Sequence, residues 1–180
     1  MGQVLSGGGS RPITVEELRA IGEMREAMTQ IPVPILRHAD NPHEYLFFAF
    51  LDGSGQDLNK PELGPATNVG VLYEQAEKLE LDPNNRIGAG YAEGIGSQSN
   101  VVARLYNGWL ARDWDKGIEK MYRELAKQTW EWKQLDPEAQ ISIAGLGYSR
   151  GAVQEAGFHR LVDHYGIADW KDLKFGRDEH

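Results

Sequence analysis

The sequence contains no cysteine. That excludes disulfides, thiol catalysis and any zinc site built on thiolates, and it leaves the redox compartment open. Basic residues are the minority, 19 Lys and Arg against 27 Asp and Glu in 180 residues, for a net charge of −8. They form no cluster, so nucleic acid is not an expected partner, because phosphate backbones demand concentrated cations. No apolar run approaches the roughly 20 residues that span a bilayer. The N-terminus lacks the basic region and apolar core of a secretory signal. There is no internal repeat either, and the length points to one domain with a sizeable core.

What is present reads in order as follows. Residues 1–12 form a Gly- and Ser-rich arm expected to be flexible. Its first residues, Met1-Gly2-Gln3-Val4-Leu5-Ser6, fit the N-myristoylation pattern, although a chance match in a flexible start is the plainer reading. Residues 13–44 read as a helix followed by an extended connection. Thr14-Val15-Glu16-Glu17 is a capping box, and Leu18, Ile21, Met24 and Met28 fall towards one side of the helix it opens. Pro32 and Pro34 end that segment. His38, Asp40, His43 and Glu44 lie close together beyond it. A metal site is conceivable there, but the set reads first as a polar surface loop, and no metal is expected.

From residue 45 onward the pattern alternates. Tyr45 to Leu51 is a continuous apolar run, short enough for a strand covered on both faces. It ends at Asp52-Gly53-Ser54-Gly55, where glycines would let backbone approach a ligand closely. Thr67 caps a predicted helix from Asn68 to Leu79, with Leu72, Ala76 and Leu79 on one face. Asp82 to Asn85 is a turn, and Arg86 to Tyr91 is a glycine-broken strand candidate. Val101, Leu105 and Trp109 mark one helix. Ile118, Met121, Tyr122, Leu125, Thr129 and Trp132 mark a longer one that Asp136-Pro137 closes, its aromatics reading as core. Helix and strand alternate in this way when helices cover both faces of a mostly parallel sheet.

The chain is organised around Ile141 to Gly151. Ile141 to Leu146 reads as a strand buried on both faces. It runs into Gly147-Tyr148-Ser149-Arg150-Gly151, a G-x-S-x-G, and then into a helix-compatible stretch from Ala152 to Tyr165. In the α/β-hydrolase arrangement such a pentapeptide is a sharp turn between strand and helix, with the serine strained and its hydroxyl exposed. Small residues are required two before and two after it, because strand and helix backbones pass close there.

Four stretches together resemble the bacterial α/β-hydrolase domain family that includes the phospholipase effectors of type VI secretion. They are the first strand with Asp52-Gly53-Ser54-Gly55, then Thr67-Asn68-Val69, then Tyr91 with Gly94-Ile95-Gly96-Ser97-Gln98, and last Gly147 to Ala152. The family commonly has threonine where this chain has Ser54 and phenylalanine where it has Tyr148. The resemblance covers residues 45–165. It implies a three-layer α/β-hydrolase-like fold with a mostly parallel sheet, and a lipase- or phospholipase-type acyl-ester hydrolase that needs no cofactor. Ser149 maps onto the nucleophile. The N–H of Arg150 and the loop at Gly53 and Ser54 map onto the oxyanion hole, and Gly147 and Gly151 onto the elbow. The implied partners are a lipid or other acyl-ester substrate, a secretion apparatus and an immunity protein. The implied location is the bacterial cytoplasm before signal-peptide-independent secretion.

A triad of this kind also needs an acid and a histidine after the serine. Asp163, Asp169, Asp172, Asp178, His159, His164 and His180 are available, but none is well placed. The expectation is therefore that residues 45–180 are the N-terminal part of a hydrolase domain incomplete at its C-terminus. Two rival readings stand beside it. One is a non-enzymatic interaction protein that keeps the fold. The other is a nucleotide-binding protein, since Gly145, Gly147 and Gly151 form a G-x-G-x-x-x-G between strand and helix, with Asp169 as a ribose acid.

Overall fold

The computed structural model describes residues 11–32, 34–38, 40–60, 66–94 and 109–173. The sequence-based expectations for Met1 to Ser6, Ile95 to Gln98, Val101, Leu105, Asp178 and His180 lie outside them. The chain divides into two units, Met1–Ile35 and Leu36–His180.

The first unit holds α1, Val15–Thr29. Its capping box forms as its sequence dictates. Thr14 Oγ1 accepts from the Glu17 N–H, and the Glu17 carboxylate accepts from the Thr14 N–H. Arg11 pairs with that same carboxylate. Leu18, Ile21, Met24 and Met28 all lie exposed, and no residue of α1 is buried.

The second unit is built on three parallel strands, β1 (Glu44–Leu51), β2 (Ile87–Ala92) and β3 (Gln140–Gly147), in the order β2-β1-β3. The register pairs Leu46 with Ile87 and Ser142, and Leu51 with Ala92 and Gly147. The three strands therefore end level at one edge. β1 is central, and its side chains alternate between two cores. Tyr45, Phe47, Ala49 and Leu51 face one side. There they meet Met121, Tyr122, Leu125 and Trp132 of α3 (Trp109–Leu135) and Phe158 of α4 (Arg150–Tyr165). Phe48 and Phe50 face the other side and meet Val69, Tyr73 and Ala76 of α2 (Asn68–Glu80), with Tyr91 and Leu146. A run apolar at every position is thus explained by helices on both faces. The three-layer α/β arrangement is the one expected.

Three details differ from the sequence reading. Trp109 opens the long helix α3 rather than marking an earlier one. α2 buries Val69, Gly70 and Ala76, while Leu72 and Leu79 stay exposed. The helix is rotated so that its smaller residues meet the sheet. β3 is only partly buried along Ile141 to Leu146, not buried on both faces. Among the described strands it has one neighbour, and α2 lies chiefly over β1 and β2.

Candidate active site

β3 and α4 meet at Ser149, and the backbone there leaves every ordinary region. Ser149 has φ 55° and ψ −121° and is exposed, and its side chain makes no capping bond to the helix that begins after it. A β-carbon in such a conformation costs on the order of 1–3 kcal/mol, offset only by surrounding structure that over-determines the turn. That structure is visible on both sides. A Cβ on Gly147 would lie 2.4 Å from the Cα of Ala152. A Cβ on Gly151 would lie 2.2 Å from the carbonyl oxygen of Leu51. Strand and helix can close on each other only because both positions lack a side chain. The Tyr148 N–H donates to the Leu51 carbonyl at 3.1 Å, which pins the elbow to the end of β1.

The loop after β1 reaches the same place. A Cβ on Gly53 would lie 2.5 Å from the Tyr148 ring and 3.4 Å from Ser149 Cβ. Arg150 Nε donates to Ser54 Oγ. The Gly53 carbonyl accepts from the Gln56 N–H at 3.0 Å, and the Gln56 carbonyl accepts from the Gly94 N–H at 2.8 Å. The sequence pieces Asp52 to Gly55, Gly94 and Gly147 to Ala152 therefore converge at one edge of the sheet, as ligand-binding loops of parallel sheets do.

Beneath this loop lies a group that the sequence reading did not single out. Asp52 is 2% exposed, yet it is charged in type and has no cationic partner among the described residues. Its carboxylate accepts instead from the Gly53 N–H at 2.7 Å, from the Thr67 hydroxyl at 2.8 and 2.9 Å, and from the Tyr91 hydroxyl at 2.8 Å. Thr67 accepts in turn from the Gly70 N–H at 3.1 Å as the cap of α2, and Tyr91 accepts from the Leu58 N–H at 3.1 Å. Burial pushes the Tyr91 phenol well above its ordinary value, and the bond to Asp52 pushes the same way. The sequence signal was available: Asp52, Thr67 and Tyr91 fall in three of the four resembling stretches.

Beside the elbow is an open hollow of about 840 Å³ between α2 and β3. Val69, Leu72 and Leu146 give it an apolar lining, and Gln56, Thr67 and Tyr148 stand around it.

No histidine among the described residues stands beside Ser149. His38 and His43 lie at the opposite end of β1, about 26 Å away along an eight-residue strand. His38 Nδ1 is 2.9 Å from Glu44, and His43 lies 3.0 Å from Asp136 and 3.3 Å from Glu138. Among the described residues no group of three His, Asp or Glu could hold a metal ion. His159 and His164 lie on α4, and nine residues of helix carry His159 about 14 Å from the elbow. There its Nε2 is 3.2 Å from Glu155. Asp163 sits further along α4, and Asp169 and Asp172 belong to the segment of the 3-10 turn Trp170–Asp172. Gly145 lies inside β3 rather than in the turn, and a Cβ there would meet the Glu155 carboxylate at 2.0 Å. A carboxylate at that position disfavours a bound phosphate, which counts against a dinucleotide loop.

No helix among the described residues is long and apolar enough to cross a membrane. The model of one protein family, described as the T6SS phospholipase effector Tle1-like catalytic domain, matches residues 47–176. No curated protein and no solved structure matches the chain.

Proposed function

From the premise that this chain belongs to the family of Tle1-like phospholipase effector catalytic domains of type VI secretion, we propose that it is a serine hydrolase of phospholipid acyl esters. Ser149 is the attacking nucleophile. The single observation that carries the assignment is its backbone at φ 55°, ψ −121° between β3 and α4, with the β1 loop against it. In that conformation the hydroxyl is presented to substrate instead of capping α4. The Arg150 N–H at the first turn of α4 and the Gly53–Ser54 loop supply the donors for the oxygen that becomes negative in the tetrahedral intermediate. The apolar lining of the adjoining hollow suits an acyl chain.

Attack requires a base to take the serine proton, because a protonated hydroxyl is a poor nucleophile at neutral pH. The histidine and its acid come from outside the described residues. Delivery by a secretion apparatus and neutralisation by an immunity protein follow from the same reading. The test is hydrolysis of phospholipid and short-chain esters by the protein as its cell makes it, beside its Ser149→Ala variant. Turnover abolished by that substitution supports the reading. Turnover that survives it overturns Ser149 as the nucleophile, and specific binding partners without any turnover favour an interaction protein that has kept the fold.

A further inference from the structure

The geometry points to Asp52 as the positioning residue of this site: its buried carboxylate holds the Gly53 N–H and so leaves the Ser54 N–H as the loop's donor to the oxyanion, opposite that of Arg150. The inference rests on the hydrolase reading for the word oxyanion, but the loop geometry stands apart from it.

The oxygens of an aspartate side chain accept hydrogen bonds. Those of Asp52 do so from three segments of the chain: its own loop at Gly53, the start of α2 at Thr67, and the end of β2 at Tyr91. Its own N–H is bonded to the Ala92 carbonyl at 2.9 Å. A carboxyl group that is 2% exposed must be hydrogen-bonded in this way or its burial destabilises the fold. An apolar residue would need none of these bonds, so the buried polar group calls for a reason. The consequence lies in the next two peptides. The Gly53 N–H is occupied, and its carbonyl is turned to the Gln56 N–H. The Ser54 N–H meets no acceptor among the described residues, while the Ser54 hydroxyl is tied to Arg150 on the elbow. A donor that meets no acceptor among the described residues, on a loop fixed at both ends, is suited to act as a preorganised donor. Thr67 and Tyr91 extend the arrangement, since Tyr91 also holds the Leu58 N–H further along the same loop.

The experiment compares wild type, Asp52→Asn and Asp52→Ala, in the protein as its cell makes it, by thermal unfolding, ester kinetics and amide hydrogen exchange. Asparagine keeps an oxygen for the Gly53 N–H and alanine does not. Removing one oxyanion donor lowers kcat by about 10²–10³. The expected result for Asp52→Ala is therefore a fall of about 100-fold in kcat with KM changed less than about twofold. Asp52→Asn should stay within about tenfold of wild type. Exchange over residues 53–58 should accelerate by about tenfold or more in Asp52→Ala while α3 keeps its protection. Equal losses in both variants, or a lower Tm with kcat intact, would show a merely structural tie and overturn the inference. If the alanine variant does not fold, the asparagine variant decides. A loss well beyond tenfold there removes the conservative rescue and the inference with it. If wild type itself shows no turnover, the hydrolase reading has failed. The Asp52 claim is then judged on exchange alone, and unchanged exchange at 53–58 overturns it.

Discussion

A Cβ on Gly151 would sit 2.2 Å from the carbonyl oxygen of Leu51 and 2.4 Å from that of Asp52. The first turn of α4 thus rests directly on the backbone of the strand end that leads into the β1 loop. Both contacts are backbone and cannot rotate away. Gly151→Ala should destabilise the protein by about 3 kcal/mol or more, the upper range for forcing an extra methyl into a filled space. Chemical denaturation measures it, and a loss near zero would mean that strand and helix are not this close.

Phe47 tests the larger core. It is 1% exposed at the centre of the middle strand and meets α3 and α4. Phe47→Ala should cost about 3–5 kcal/mol. Leu135→Ala, at a residue 82% exposed at the end of α3, should stay within about 0.5 kcal/mol of wild type. Similar losses for the two would contradict the three-layer arrangement.

A third expectation concerns acid. Burial would raise the Asp136 carboxyl, but bonds from His43 and from the Glu138 N–H outweigh it and hold the group below its ordinary 3.8. A carboxyl lowered on folding contributes stability that is complete above its unfolded value. That stability is lost as pH falls through the folded one. Denaturation midpoints should therefore drop below about pH 4, and Asp136→Asn should flatten part of that decline. An identical acid limb in the variant would remove the His43–Asp136 pair from the account.

Much of this was legible in the sequence because the relevant constraints are local. The run from Tyr45 to Leu51 is short and apolar throughout, which favours a strand covered on both faces. Thr14 and Glu17 specify their own cap, and glycines two before and two after Ser149 specify a close crossing. What was not legible depends on long-range partners. A period of 3.6 marks a helix face but not which residues of α2 meet the sheet, and there Val69 and Ala76 won over Leu72 and Leu79. The exposure of β3 depends on how many strands flank it. Asp52 before Gly53-Ser54-Gly55 reads as an ordinary turn residue. Its burial against Thr67 and Tyr91, 15 and 39 positions away, exists only once β1, β2 and α2 have been brought together.

Catalysis as proposed depends on Ser149 being an activated nucleophile. The most direct measurement is reaction of the protein, as its cell makes it, with a fluorophosphonate probe, read by peptide mass spectrometry beside the Ser149→Ala variant. One added phosphonyl group per chain is expected, on the peptide containing Ser149, and none in the variant. A protein that remains unmodified, or a variant that is modified as readily as wild type, would contradict it.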